Sequence, residues 1–318
     1  DEVRCLMCSQ KMKQVDMADH VCFVGREKLK KPSEKYWTYD FETCLDENKH
    51  HVIYLATAQP VFPVEMCADM RKYEYHNLPR FPNQPVFVFW GLEGVKSFFE
   101  FLKEEFVSGT TFFAHNAGKY DSIFVEKFMN EMHGELPQKL QRGTKIMQMH
   151  YASNDVLFKD SLCFIASSLR AMQKDFGIEE LKKGHFPHKL MTTAFMNESE
   201  AMNFIIPKPP RDIWMDDVST GKRGENELKE LNEFLDEFYR TDEMWNIKED
   251  CIAYCISDTV LLAEILKCFR EQCNALAAQV VCSPGAKYSE FDVLQHVTLP
   301  SGVMNLFMRS EEHTSELQ

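Results

Sequence analysis

The sequence predicts an α/β fold: a mixed sheet flanked by helices. Apolar runs of strand length recur at 36–41, 52–58, 85–90 and 110–114. Helical periodicity falls between and after them, at 92–106, 122–133 and 248–273. Asp40 and Glu42 stand at the end of the first of these runs, Asp121 at the start of a helix and Asp258 inside one. The chain has 318 residues, 44% of them hydrophobic, which is ordinary for a domain with a buried core.

Residues 1–30 carry Cys5-x2-Cys8 and His20-x-Cys22. Two thiolates on a tight turn can take adjacent corners of a zinc tetrahedron. The His-x-Cys half is shorter than the usual spacing, so loop thiols remain the alternative. This stretch reads as a zinc-knuckle-like segment, and Lys28, Lys30, Lys31 and Pro32 as a basic linker. Strands follow at 36–41 and 52–58, with a polar turn at 44–51. Residues 59–84, rich in proline and polar groups, read as an excursion. A third strand spans 85–90 and ends at Gly91. The helix at 92–106 turns Val95, Phe98, Phe99, Leu102 and Phe106 to one side. A fourth strand at 110–114 leads through a glycine turn into the helix at 122–133. Residues 145–151 and 155–159 read as a hairpin turning at Ser153-Asn154. A short helix at 169–176 ends at Gly177. Residues 182–189 form a basic loop and 203–211 a proline-rich irregular stretch. The acidic helix at 225–239 reads as a solvated lid or spacer. The helix at 248–273 is strongly apolar.

Asp40 and Glu42 lie two apart in the first strand, so both point to one face. Two like charges on a buried face repel, and a divalent cation with oxygen ligands relieves this. An edge strand with an acidic solvent face is the alternative. Asp121 begins a helix after 112–120. Tyr254 and Asp258 are four apart on the apolar helix and share a face. An aspartate there needs a partner or a metal.

Asp-x-Glu, then Asn-x3-Tyr-Asp, then Tyr-x3-Asp, in this order, resembles the three-motif signature of the 3′–5′ exonuclease region of family B DNA polymerases. Asp160-Ser161-Leu162-Cys163-Phe164-Ile165 and Lys183-Gly184-His185-Phe186 resemble motifs of the protein-primed branch, found in viruses and self-synthesising transposons. The likeness covers roughly 35–305. It implies a ribonuclease-H-like sheet, which the strand, strand, strand, helix, strand, helix order fits. It implies two Mg or Mn ions about 4 Å apart. Asp40 would bridge them, Glu42 and Asp258 would complete one site, and Asp121 would act on the second ion. Tyr254 would orient the attacking water. Lys183 would contact the scissile phosphate, with adjacent Lys182 as the competing choice. Thr43, His115, Asn116, Tyr120, Phe124, Ser161 and Leu162 would line a channel for a single-stranded 3′ end, held by stacking and by sugar and phosphate contacts. Core packing is the alternative for Phe124 and for Tyr254.

The domains expected are 1–30 (zinc-binding), 31–275 (exonuclease) and 276–308 (start of a polymerase palm). Residues 309–318 read as a translated sequencing adapter; without them the net charge moves from −13 to −11. No Tyr-x-Asp-Thr-Asp or Ser-Leu-Tyr-Pro stretch occurs, so the palm carboxylates lie elsewhere. The acidic charge argues against a surface that coats nucleic acid generally. No apolar run reaches membrane-spanning length and no signal peptide opens the chain. Eleven cysteines without a secretion signal suggest a reducing, intracellular setting. The expected partners are single-stranded DNA 3′ ends, primer-template DNA and, for the intact protein, a terminal priming protein. A free-standing exonuclease acting on RNA and a silent module that binds DNA ends are the competing functions. The stretch 276–308 speaks against the first, and the full acid set against the second.

Overall fold

The computed structural model describes residues 2–4, 11–14, 31–178, 181, 184–215, 222–241, 243–280 and 291–311. The chain forms two compact units, Glu34–Cys268 and a smaller one built from Asp1–Ser33 and Phe269–Gln318. In the smaller unit β1 (Glu2–Arg4) and β2 (Lys11–Lys13) pair antiparallel. Cys5, Cys8, His20 and Cys22 lie outside the described residues, as do Lys182 and Lys183.

The larger unit is built on one eight-stranded sheet. Its strands are β3 (Tyr36–Leu45), β4 (His51–Pro60), β5 (Tyr75–His76), β6 (Val86–Trp90), β7 (Thr111–Ala114), β8 (Gln138–Arg142), β9 (Lys145–Tyr151) and β10 (Val156–Asp160). Their order is β5-β6-β4-β3-β7-β10-β9-β8. β3 pairs parallel with β7, and β7 parallel with β10; the other pairings are antiparallel. The expected mixed sheet is therefore present, with the Asp40 strand inside it. The chain runs from β3 outward through β4 to β6, then returns to β7 on the opposite side of β3. Open α/β sheets bind ligands at such a reversal, outside the carboxyl ends of the strands.

Strand alternation divides the side chains between two cores. Trp37, Tyr39 and Phe41 of β3 and Phe87 and Phe89 of β6 face one side. There they meet Phe98 and Phe99 of α1 (Gly91–Phe101) and Val125 and Met129 of α2 (Asp121–His133). Each such ring contributes about 1.5–3 kcal/mol when fully buried. Val86 and Val88 of β6 face the other side, as do Tyr54 and Leu55, adjacent in β4 where a bulge interrupts the alternation. The remaining helices are α3 (Leu169–Asp175), α4 (Thr193–Ala201), α5 (Asp212–Met215), α6 (Lys222–Phe238) and α7 (Ile247–Val280). Leu231 and Leu235 of α6 and Cys251, Cys255 and Val260 of α7 close this second core. Beyond α7, a helical turn at Val293–Gln295 precedes α8 (Leu299–Glu311) in the smaller unit. There Asp292 pairs with Arg270 at 3.1 Å and caps that turn through the Leu294 amide.

Several expectations are corrected. α1 stops at Phe101 and not at 106, because the backbone tightens into three-residue turns as it swings back toward β7. Lys103 fixes that corner by its pair with Glu135 at 2.8 Å. α6 is not a solvated spacer: Leu231 and Leu235 are buried, and Phe234 and Phe238 pack on Trp214. The stretch 203–211 is not wholly irregular, since β11 (Ile205–Ile206) pairs with β12 (Trp245–Asn246). β8 and α4 were not foreseen. Every residue of β8 is exposed, so no apolar alternation marks it.

Gly118 shows how tightly the β7–α2 turn is held. A Cβ there would lie 2.1 Å from the Ile146 carbonyl oxygen. Gly118→Ala is expected to cost about 1–3 kcal/mol by overpacking. Urea unfolding would measure it, and an unchanged midpoint would contradict the close approach.

Candidate active site

The parallel strands β3, β7 and β10 end on the same side of the sheet, and most of the expected site residues lie at these ends. β3 carries Asp40 and Glu42 just past its pairing with β7, which stops at Thr38. A bulge follows between Glu42 and Thr43. Bulges re-aim side chains and are frequent beside active sites. Glu42 is buried and Asp40 half-buried, so neither is the exposed acid of a solvated edge.

α7 crosses the face of the sheet that bears these acids. Thr38 Oγ1 donates to the Thr259 carbonyl at 2.9 Å. Thr57 Oγ1 is 2.6 Å from Thr259 Oγ1 and 3.1 Å from Cys255 Sγ. The Cys255 thiol donates to Asp40 Oδ2 at 3.6 Å. Ligand atoms of Asp40, Glu42 and Cys255 lie within 4.8 Å of one another, the tightest set of metal-type donors among the described residues. Burial pushes the Cys255 thiol well up, and the charges of Asp40 and Glu42 push it further.

Tyr254 and Asp258 flank this set on the same helix. Burial raises the Tyr254 phenol, and the charges of Asp258, Glu42 and Asp40 act in the same sense. The hydroxyl therefore stays protonated and can donate a hydrogen bond. Its ring packs edge-on against His188, with centroids 5.0 Å apart, and His188 Nδ1 lies 3.3 Å from Glu42 Oε2. A Cβ on Gly184 would meet Tyr254 Cδ2 at 3.4 Å, so this glycine of the expected lysine motif lies against the ring.

Asp121 approaches from the first turn of α2, outside the tight donor set. Burial raises its carboxyl to about 7, helped by the charges of Glu42 and Asp160 and opposed by backbone hydrogen bonds, including one from Phe41. The folded chain therefore holds a proton on Asp121 between 3.8 and about 7 where the unfolded chain does not. Stability from this source is greatest at the acid end of that window and is lost as pH rises through it. Asp121→Asn is expected to flatten this decline in metal-free buffer and to raise the melting temperature at pH 8 by a few degrees. Melting curves across the window would test it; parallel pH profiles for wild type and variant would refute it.

The residues expected along a DNA channel fall into two groups. Thr43 Oγ1 lies 2.5 Å from Tyr120 OH and 3.0 Å from His51 Nδ1, and Tyr120 OH is 2.9 Å from that nitrogen. The Phe124 ring stands 5.2 Å from that of Tyr120, half-buried against the first core. Glu42, Thr43, His51, Tyr120, His188 and Lys189 help line a cleft of about 330 Å³. In the second group His115 Nδ1 is 3.0 Å from Ser161 Oγ. Asn116 takes a left-handed conformation at φ 61°. Leu162 donates its amide to Asp160 Oδ1 at 2.9 Å.

Four residues of the site had no role assigned from sequence: Asp160, Cys255, His188 and His51. Asp160 is fully buried and binds three elements. It pairs with Lys145 Nζ on β9 at 2.8 Å, accepts from the Gly118 amide at 3.3 Å, and caps the turn holding Ser161 and Leu162. It thus ties the turn that precedes Asp121 to the end of β10. Its position at the close of an apolar strand, before Ser161-Leu162, was the available signal. The other three carry no marker in spacing. Lys145→Met would leave a buried carboxylate uncompensated and is expected to cost about 3 kcal/mol. Chemical denaturation would read it, and a loss under about 0.5 kcal/mol would mean that the pair is solvated.

The comparisons with known proteins bear on this geometry. The family described as DNA polymerase type B, organellar and viral, matches residues 107–316. The chain belongs to this family. The matched region contains Asp121, Asp160, Tyr254 and Asp258, while β3 with Asp40 and Glu42 precedes it. A probable DNA polymerase of Neurospora intermedia is 22% identical over 191 residues, covering 58% of this chain and 18% of that protein. The chain thus spans under a fifth of that relative's length. Phi29 DNA polymerase complexed with single-stranded DNA aligns at a TM-score of 0.41 and 11% identity, over 78% of this chain and 34% of that one. The same polymerase with primer-template DNA aligns at 0.32 and 11%, over 46% and 24%. Among the described residues, no helix is long and apolar enough to cross a membrane.

Proposed function

We propose that Glu34–Cys268 is the 3′–5′ proofreading exonuclease of a protein-primed type B DNA polymerase, with a ribonuclease-H-like sheet. One observation carries the reading. Asp40 and Glu42 stand in the middle of a central strand, just past the end of its parallel pairing with β7, and α7 lies against that strand with Tyr254 and Asp258 beside them. The donor set fits a divalent cation, since ligand atoms of Asp40, Glu42 and Cys255 gather within 4.8 Å of one another. Divalent cations bound there would supply an activated water and neutralise the leaving oxygen.

The chain's own groups do the rest. Asp40, Glu42 and Asp258 would hold the cations, with Asp121 acting on the second of them. Tyr254, kept protonated by its surroundings, would donate a hydrogen bond that orients the attacking water. Lys183 would contact the scissile phosphate. Tyr120 and Phe124, whose rings meet edge to face, would offer stacking surface to the terminal bases, and Thr43 and His51 polar contacts to the sugar. His115, Asn116, Ser161 and Leu162 would hold the backbone further along. The substrate is then a single-stranded 3′ end and the product a deoxynucleoside monophosphate. Beyond this unit, 276–308 would lead into a polymerase palm, the intact protein would extend primer-template DNA from a terminal protein during replication inside cells, and Cys5, Cys8, His20 and Cys22 would hold a structural zinc.

The test is release of mononucleotides from 3′-labelled single-stranded DNA with Mg or Mn, beside an Asp40→Ala/Glu42→Ala double variant. Stepwise trimming that needs the metal, and that the variant loses by about a thousandfold or more, is expected. A folded wild type that binds the 3′ end without trimming it would replace the exonuclease with an end-binding site.

A further inference from the structure

We propose that Cys255 is a sulfur ligand of the carboxylate site, giving this centre a mixed oxygen–sulfur set that captures a thiophilic cation such as Cd or Zn through Asp40, Glu42 and Cys255. The proposal rests on the reading of Asp40 and Glu42 as metal ligands and adds a third donor of a different class.

Several observations converge on it. Cys255 is completely buried, and the helix face it shares with Cys251 and Thr259 is pressed against β3 and β4. Although the residue belongs to the second core, its sulfur has polar neighbours. It lies 3.6 Å from Asp40 Oδ2, and ligand atoms of Asp40, Glu42 and Cys255 fall within 4.8 Å of one another. Zinc–sulfur and zinc–oxygen bonds of about 2.3 and 2.1 Å at a tetrahedral angle place sulfur and oxygen about 3.6 Å apart. The observed spacing therefore needs little rearrangement. Thr57 Oγ1, 3.1 Å from the sulfur, can turn its hydroxyl proton toward a thiolate and fix the ligand's orientation. His188 Nδ1, 3.3 Å from Glu42 Oε2, gives one ligand carboxylate a similar support.

The donor types decide which cation benefits. Mg prefers oxygen donors and leaves a thiol protonated, whereas Cd and Zn take thiolate readily. Binding exchanges the thiol proton for the cation, and that proton leaves to solvent; no oxidation state changes. The centre would then hold Mg through oxygen alone and a thiophilic cation through oxygen and sulfur.

The experiment is a Cd titration of the full chain in metal-stripped buffer without DNA, following the ultraviolet sulfur-to-cadmium charge-transfer absorption. Wild type is compared with Cys255→Ser, which retains a hydroxyl partner for Thr57, and with Asp40→Asn. The chain has eleven cysteines, so the quantity read is the difference between wild type and variant. A component saturating at one cation per chain is expected in wild type. It should be lost in Cys255→Ser and weakened roughly tenfold in Asp40→Asn. Cooperative melting establishes that each variant is folded, and Cys255→Ala replaces the serine variant if that fails. An absorption change in a folded Cys255 variant equal to that of wild type overturns the proposal. Because no DNA is present, the outcome is independent of catalysis. A Cys255-dependent band without trimming activity would remove the exonuclease reading alone, and trimming without the band would remove only the sulfur ligand.

Discussion

The docking of α7 on β3 and β4 is the contact on which the site depends. Asp40 and Asp258 are more than two hundred residues apart, and only this contact brings them together. It is made by small polar groups. Thr38 and Thr57 present hydroxyls from the sheet, and Thr259 and Cys255 receive them from the helix. Threonine and cysteine let the helix approach closely, and each hydroxyl finds a partner where an unpaired one would cost about 1–3 kcal/mol. The helix is apolar around most of its circumference because it is covered on several sides. Its position along the sheet is set by these few directional bonds.

A second constraint follows from what is gathered there. Asp40, Glu42, Asp121 and Asp258 repel one another in surroundings that screen poorly. Burial raises the Asp121 carboxyl and the Tyr254 phenol, and the neighbouring acidic charges add to both shifts. Rigid packing elsewhere holds the arrangement in place. The aromatic layer between the sheet, α1 and α2 fixes β3 from one face, and the threonine contacts fix it from the other. Asp160, neutralised by Lys145, fastens the turn from which α2 starts. The site's net charge is thus held by neighbours that are themselves electrically satisfied, an arrangement suited to a cation.

Much of the fold was legible in the chain. β3, β4, β6 and β7 are apolar runs of strand length, and α2 and α7 have helical periodicity over long stretches. The parts that escaped share a cause: they lack an apolar pattern because they bury little. β8 is exposed throughout, β11 and β12 are two residues each, and α4 has one fully buried residue, Ser199. α6 misled in the opposite way. Its acidic face dominates the sequence, while the narrow stripe of Leu231 and Leu235 that decides its packing is easily passed over.

The grouping with Asp121 was implied only by a family resemblance; by itself the sequence determined that a carboxylate pair occupies one face of a strand and that Tyr254 and Asp258 share a helix face. Period-two and period-3.6 geometry suffices for that, because it is local. Only the tertiary structure decided that Asp121 would lie outside the tight donor set, that Cys255 would stand among the carboxylates, and that Asp160 would anchor the β7–α2 turn. Those outcomes depend on the register between β3 and β7 and on where α7 stops sliding along the sheet. Both are set by long-range packing and by single hydrogen bonds, neither of which leaves a periodic trace in the chain.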